Sequence, residues 1–375
     1  MILPPNMLGM LGGGQLGRFF VIAAHEMGYK VTVLDPDPHS PAGKIADVHL
    51  HAAYDDTAAL DQMAKTCAAV TTEFENVPAS TLEYLAKSCL VQPRAEAVAI
   101  CQHRINEKNF LRDNGFPHAA YAQIASESDV PDAASGLYPG ILKVARFGYD
   151  GKGQARVGSP EEALAAFRSF NGELCVLEQR LTLDYEVSVV LARDGAGNVQ
   201  AFPTAENEHR NGILDISIVP ARGSAEVRNQ AQVLARGVAE KLGYVGTLGV
   251  EFFVCQGKLY VNEMAPRPHN SGHYTLDACI TNQFEQQVRA LCGLPLGNPH
   301  LHSPAVMVNL LGDIWRDGEP EWNLLFEQAN LKLHLYGKPE ARPGRKMGHY
   351  TVVAENLDAA LQEAMTARKN IRVEG

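Results

Sequence analysis

The stretch Gly249-Val-Glu251-Phe-Phe-Val-Cys-Gln-Gly-Lys-Leu-Tyr-Val-Asn262-Glu263 carries oxygen-bearing side chains near its two ends and a mostly apolar run between them. It reads as a hairpin that turns near Gln256-Gly257. A three-residue loop from Gln256 to Lys258 sets Glu251 opposite Glu263, whereas a two-residue loop sets Asn262 opposite Glu251. Opposed residues share a face with Cβ atoms about 4.5–5.5 Å apart, so either register gathers the three groups. Val250, Phe252, Phe253, Val254, Leu259 and Val261 predict a hairpin buried on both sides. Two ionised carboxylates buried there are costly unless a cation neutralises them. An oxygen-only donor set without Cys or His suits magnesium. The competing reading is a surface hairpin whose acids face water.

Two glycine-rich segments could cradle phosphates. Gly12, Gly14 and Gly17 fit GxGxxG between a predicted strand and helix, and Asp35 ends the next strand. Three readings of this segment stay open: a nicotinamide dinucleotide with Asp35 on its ribose, glycines that only allow close packing, and the phosphate of another ligand at a helix N-terminus. The second segment is Phe147-Gly148-Tyr149-Asp150-Gly151-Lys152-Gly153-Gln154, preceded by a strand carrying Lys143. Its backbone amides can wrap a triphosphate, with Lys143 as a cation for phosphate oxygens. It is neither a Walker A loop nor part of a protein-kinase motif set. A plain glycine-rich hairpin is the alternative.

The elements that must position these groups follow from periodicity. Residues 7–11, 29–34, 68–73 and 90–92 read as strands alternating with helices, a parallel doubly wound pattern through about residue 100. A charged helix over 101–115 follows. Strands are then expected at 140–145, 176–179, 185–192 and 200–203, a helix at 227–242, the 249–262 hairpin, and a helix at 283–291. Short strands at 305–311, 331–336 and 349–354 and a helix from about Leu357 complete the chain.

The 375 residues allow two to three domains. A formal charge of −10 argues against a nucleic-acid or anionic-membrane surface. No signal peptide or apolar span of about 20 residues is present. Seven cysteines without a CxxC read as reduced thiols in a cytoplasm, with no zinc site expected from them.

Taken together, Gly12–Arg18 (GGGQLGR), Phe147–Gln154, the Glu251/Asn262-Glu263 pair, Ala265–His273 (APRPHNSGH) and Arg342–His349 (RPGRKMGH) resemble the N5-carboxyaminoimidazole ribonucleotide synthases, ATP-grasp enzymes of purine biosynthesis. The resemblance spans nearly the whole chain, and the last two motifs are its specific part. It implies a mixed α/β and α+β architecture: a Rossmann-like pre-ATP-grasp domain over 1–100, an ATP-grasp domain over 101–300 with its lid at about 116–182, and a β-rich C-terminal domain over 301–375. It implies ATP held by Arg104, Lys143, Gly148, Tyr149, Asp150, Gly151, Lys152, Gly153, Gln154, the Glu178-Gln179-Arg180-Leu181 segment at the adenine, Glu186 at the ribose, His209 near the phosphates, Asn262 and Glu263. Magnesium would sit on Glu251 and Glu263. The ribonucleotide would meet Gly14, Gln15, Leu16, Lys338 and Arg345 at its phosphate, and Glu75, Arg267, Asn270 and Ser271 elsewhere. Tyr149, Asp150, Arg267 and Lys338 would be the catalytic groups.

The expected reaction joins bicarbonate to aminoimidazole ribonucleotide at the expense of ATP, with Asp150 as the base that removes the amine proton. The partners are these small molecules, with neither nucleic acid nor membrane, in a cytoplasmic homodimer. Without the resemblance, His209 reads as a surface-loop histidine and residues 338–346 as a solvated basic turn. The rival functions are another ATP-grasp ligase, a nicotinamide oxidoreductase using Gly12–Gly17 and Asp35, and a nucleotide-binding regulator without catalysis.

Overall fold

The computed structural model describes residues 1–132, 135–146 and 153–371. Five parallel strands, β1 (Met7–Leu11), β2 (Lys30–Leu34), β3 (Val48–Leu50), β4 (Ala69–Thr72) and β5 (Leu90–Val91), form the first sheet in the order β3-β2-β1-β4-β5. The reversal of order at β1 makes a crevice at the carboxyl end of that strand, where Gly12–Gly14 lie. The first helix, Gln15–Glu26, has Gly14 at its N-cap and so no side chain to cap it. Glu73, just beyond β4, supplies the missing acceptor from 59 residues away.

A small antiparallel sheet follows, built from β6 (Tyr121–Ile124), β7 (Gly140–Val144), β8 (Gln154–Val157) and β9 (Cys175–Gln179) in the order β6-β9-β7-β8. The third sheet has nine strands: β10 (Tyr185–Arg193), β11 (Val199–Ala201), β12 (Ala205–Arg210), β13 (Ile213–Val219), β14 (Gly246–Cys255), β15 (Lys258–Ala265), β16 (Ala305–Leu311), β17 (Leu331–Leu335) and β18 (Lys346–Val353). Its order is β15-β14-β10-β12-β13-β16-β18-β17, with β11 on the side of β10. Because β13 pairs with β16, hydrogen bonding runs without a break across residue 300, between the regions expected as separate domains.

The strands at 205–210 and 213–219 were not expected from hydrophobic pattern. Their signal is present as Asn211-Gly212, both with positive φ (52° and 79°), the backbone that a two-residue hairpin turn requires. β12 carries the polar run Glu206-Asn207-Glu208-His209-Arg210, which hides its strand character.

One core lies between the helix Ala225–Lys241 and the large sheet, through Val227, Ala231, Ala235 and Val238 against Val187, Val189, Val250 and Phe252. A second joins the first helix to the helix Gln283–Leu291, through Phe19, Phe20 and Val21 against Phe284, Val288 and Leu291. Phe20 and Phe284 are fully buried, and each burial contributes roughly 1.5–3 kcal/mol. These contacts clamp the first sheet onto the large one, with the two glutamates of the hairpin near the junction.

Candidate active site

β14 and β15 turn through two residues, not three. Gln256 and Gly257 both have positive φ (50° and 71°), and Cys255 pairs with Lys258. That register, continued, would place Asn262 opposite Glu251. A β-bulge intervenes: Phe252 pairs with Val261, and the next pair is Glu251 with Glu263. Asn262 is the extra residue, and its amide lies 3.5 Å from Glu251 Oε2. The three-residue turn is therefore a correction, although the pairing it was invoked to explain is present.

Around this pair, charges converge from four segments. His269 Nε2 lies 3.4 Å from Glu251 Oε1, and Arg104 Nη1 lies 4.0 Å from Glu263 Oε2. Burial, reinforced by the charges of Glu263 and Glu186 and opposed by His209, pushes the Glu251 carboxyl up to about 7. Two facing carboxylates supply oxygen donors that fit a hard divalent cation, with His269 and Arg104 flanking them. His209, displaced by a second bulge at Glu208/His209, lies with Nδ1 3.2 Å from Glu186 Oε2. That contact is angled away from a hydrogen bond and is electrostatic. Burial disfavours protonation of His209, but Glu186 and Glu251 outweigh it and lift the imidazole to about 8.

Lys143 is buried on β7, 3.1 Å from Glu178 Oε1. Lys108, which the sequence reading missed, lies 3.1 Å from the other Glu178 oxygen and donates to the Asn262 carbonyl. Burial would raise the Glu178 carboxyl, but the two lysines hold it at about 2. Burial, with Arg104 and Lys108 adding, pulls Lys143 below its usual range despite Glu178. The Glu178 side chain thus serves two lysines and is withdrawn from adenine recognition. Two cations against one carboxylate leave positive charge for an anion. The Gln179 and Arg180 amides donate to the Ala120 and Pro139 carbonyls, so these two amides are committed to the small sheet. A helical, charged stretch such as Arg104–Asp113 offers no sequence mark by which Lys108 stands out from Lys or Arg facing water.

Arg267 grips Glu75 through Nε at 2.5 Å and Nη2 at 3.3 Å, a two-point contact across 192 residues that specifies geometry. Burial would raise the Glu75 carboxyl, but Arg267 holds it below the usual range. Asn270 is buried with neither its amide nitrogen nor its oxygen hydrogen-bonded among the described residues, which leaves both atoms open to a ligand or an ordered water. Ser271 is corrected: it is fully buried, accepts from Ser188 Oγ and contacts His269 Nδ1 at 2.8 Å. Its hydroxyl is committed to Ser188 and His269.

The first glycine segment is corrected in part. The Gly14 amide donates to Glu73 Oε1, and the Gly17 amide to Glu73 Oε2 at 2.6 Å. Of the four first-turn amides without an intrahelical acceptor, those of Gly14 and Gly17 are taken by Glu73, which leaves Gln15 and Leu16. Asp35 accepts from the Gly13 and Asp37 amides and from Tyr54 Oη. Its oxygens are spent on the fold, which removes the ribose acid of the dinucleotide reading. Lys338 donates to the Lys346 carbonyl at 2.7 Å, and its charge reaches Glu73. Arg345 donates to the Glu340 carbonyl in the same loop. Lys44 Nζ meets the Gly337 carbonyl, so this loop abuts the first domain. Gln154 opens β8 with Gly153 in the turn before it, whereas Gly148, Tyr149, Asp150, Gly151 and Lys152 lie outside the described residues.

A buried lysine pair beside a small antiparallel sheet, facing two glutamates on a larger one, defines an ATP-grasp ligase. Residues 6–102 match the ribonucleotide synthetase preATP-grasp domain, 109–284 the ATP-grasp domain and 305–363 the phosphoribosylaminoimidazole carboxylase C-terminal domain. The N5-carboxyaminoimidazole ribonucleotide synthase of Brucella melitensis is 46% identical over 93% of this chain and 96% of its own. A crystal structure of an N5-carboxyaminoimidazole ribonucleotide synthetase with ADP superposes with a TM-score of 0.92 at 42% identity, covering 98% of this chain and 97% of that one. The Aspergillus clavatus enzyme with ADP and 5-aminoimidazole ribonucleotide gives 0.88 at 30% identity, covering 98% of both chains. The chain belongs to the N5-carboxyaminoimidazole ribonucleotide synthase family, and it is an ATP-dependent carbon–nitrogen ligase of purine biosynthesis.

Proposed function

We propose that this site joins bicarbonate to the exocyclic amine of 5-aminoimidazole ribonucleotide at the expense of ATP. The observation that carries it is the Glu251–Glu263 pair beside the Lys108–Glu178–Lys143 cluster, an acid pair next to surplus positive charge. ATP lies between the two antiparallel sheets, its base edge at Leu181 and its ribose at Glu186. Its phosphates meet Lys143, Arg104, His209, Asn262 and the 148–154 segment. Magnesium on Glu251 and Glu263, when bound, neutralises phosphate oxygens.

Bicarbonate oxygen attacks the γ-phosphorus, ADP leaves, and carboxyphosphate forms. Arg104 and Lys143 stabilise the charge that moves onto the phosphate oxygens. Carboxyphosphate then breaks to carbon dioxide and phosphate. The substrate amine adds to the carbon and loses its proton to Asp150, giving the carbamate. The Glu75–Arg267 pair orients the imidazole, Tyr149 and Asn270 border it, and Gln15, Leu16, Lys338 and Arg345 hold the ribonucleotide phosphate. The reading includes a homodimer in the cytoplasm; no described helix is long and apolar enough to cross a membrane.

The test is ADP release with and without each co-substrate. Release that requires both bicarbonate and the ribonucleotide supports the reading. Release that ignores the ribonucleotide, or is met by another purine intermediate, assigns a different ligase. For the base, Asp150→Asn is expected to slow carboxylation far more than it weakens ATP binding; equal loss in both removes Asp150 from that role.

A further inference from the structure

Away from the nucleotide site, three histidine rings stack where the first, central and C-terminal segments meet. His273, His349 and His334 form a column with centroids 4.7 and 4.6 Å apart and interplanar angles of 19° and 21°. His334 on β17 and His349 on β18 are register partners. His273 follows the Asn270–Gly272 turn. Asp277, on the short helix Thr275–Ala278, places Oδ2 2.8 Å from His334 Nε2. Phe19 of the first helix packs against all three rings, and Tyr336 and Phe284 complete an aromatic surround.

We propose that Asp277, His334 and His349 bind a first-row transition-metal dication of the zinc class, which ties the C-terminal strands to the central domain. Three observations carry this. One ligand atom from each residue lies within 4.8 Å of the other two, and side-chain rotations that unstack the His334 and His349 rings bring them to the bond lengths of about 2.0–2.2 Å that zinc takes. His349 is fully buried, and its Nε2 has no hydrogen-bond partner among the described residues, a state that native interiors avoid. Its other nitrogen is 2.9 Å from Tyr336 Oη. With Nδ1–H donating to that oxygen, the Nε2 lone pair is available, the arrangement of a metal-ligating histidine.

Two imidazoles and one carboxylate suit a first-row transition-metal dication, zinc and iron(II) among them, whereas the glutamate pair supplies oxygen alone and suits magnesium. The set leaves a further position for water. The plain alternative is a packed imidazole column with one interdomain ion pair. It accounts for Asp277 and His334 but leaves His349 Nε2 unmet; His273 Nε2, in the same column, is without a partner among the described residues in either reading.

The full-length chain without an affinity tag, stripped with chelator, is titrated with Co2+ and then with Zn2+. One Co2+ per chain is expected, with a ligand-field absorption band that Zn2+ displaces and that persists in excess Mg2+ and in Glu263→Gln. Asp277→Asn and His334→Gln are each expected to weaken binding at least as much as loss of an outer-shell partner does, about 10–100-fold. Zn2+ should raise the thermal midpoint of the wild type and of neither variant. An unchanged Co2+ band and stoichiometry in both variants overturns the proposal, as does a wild-type chain that binds no Co2+. If one variant does not fold, the other decides.

Discussion

Glu251 and Glu263 face each other because Asn262 is squeezed out of the ladder between them. The bulge lets a tight two-residue turn coexist with a carboxylate pair that an unbroken register forbids. Bulges re-aim side chains next to functional sites, and this one also brings the Asn262 carbonyl to Lys108.

The pair is held against its own electrostatics. Burial and the charge of Glu263 push the Glu251 carboxyl up to about 7. Glu251→Gln and Glu263→Gln are therefore expected to reduce ADP formation by about 100-fold or more and to raise the magnesium concentration needed. At pH 8 without nucleotide, Glu251→Gln should also raise the thermal midpoint by a few degrees, because a destabilised active-site charge is removed. Steady-state assays across a magnesium series, with melting curves, check both. Near-normal magnesium dependence in Glu263→Gln would remove it from the metal site.

Lys108 and Lys143 share one buried carboxylate. Lys108→Met leaves Glu178 half-compensated, and breaking such a buried pair costs about 3–5 kcal/mol. Glu178→Gln in the same chain should recover part of that loss. Urea unfolding of the single and double variants measures the coupling; additive losses would contradict it.

The His209 imidazole is raised from 6.5 to about 8, chiefly by Glu186 and Glu251 against the opposing effect of burial. A raised pKa in the folded state means the Glu186 share of the interaction is present below pH 6.5 and fades as pH rises through 8, while the Glu251 share also weakens below about pH 7 as that carboxyl takes up its proton. The stability at stake is on the order of 2 kcal/mol. Wild-type stability should fall across that window relative to His209→Gln, measured by denaturant titration at several pH values. Parallel pH curves for the two proteins would be the contrary result.

A Cβ at Gly14 would lie 2.6 Å from Glu73 Oε1. Gly14 has ordinary extended backbone, with φ −74° and ψ −161°, so the demand for glycine is steric and comes from the Glu73 clasp. Gly14→Ala is expected to cost about 1–3 kcal/mol through overpacking and to raise KM for the ribonucleotide more than KM for ATP. Equal changes in the two KM values would place the phosphate elsewhere.

Much of this was legible in order along the chain. The alternation of strands and helices over the first hundred residues, the Glu251/Glu263 hairpin and the motifs after Ala265 and Arg342 are local or near-local patterns. Periodicity and spacing express the first two directly, whereas the motifs after Ala265 and Arg342 were legible only through the family resemblance. β12 was hidden because polar site residues occupy the positions that would otherwise show alternation, although its Asn-Gly turn was readable.

The sequence by itself determined which residue types are available and which neighbours share a face. Only the tertiary structure decided what each group is committed to. Gly14 and Gly17 face a carboxylate from 56–59 residues away, Arg267 meets Glu75 across 192 residues, and Ser271 turns inward to His269. For Glu251 and Glu263, near in sequence, a single unpaired residue changed the reason for their meeting. Register sums over a whole ladder, and one bulge shifts every pair beyond it. No local pattern states where that slip occurs, because it is set by what both strands pack against.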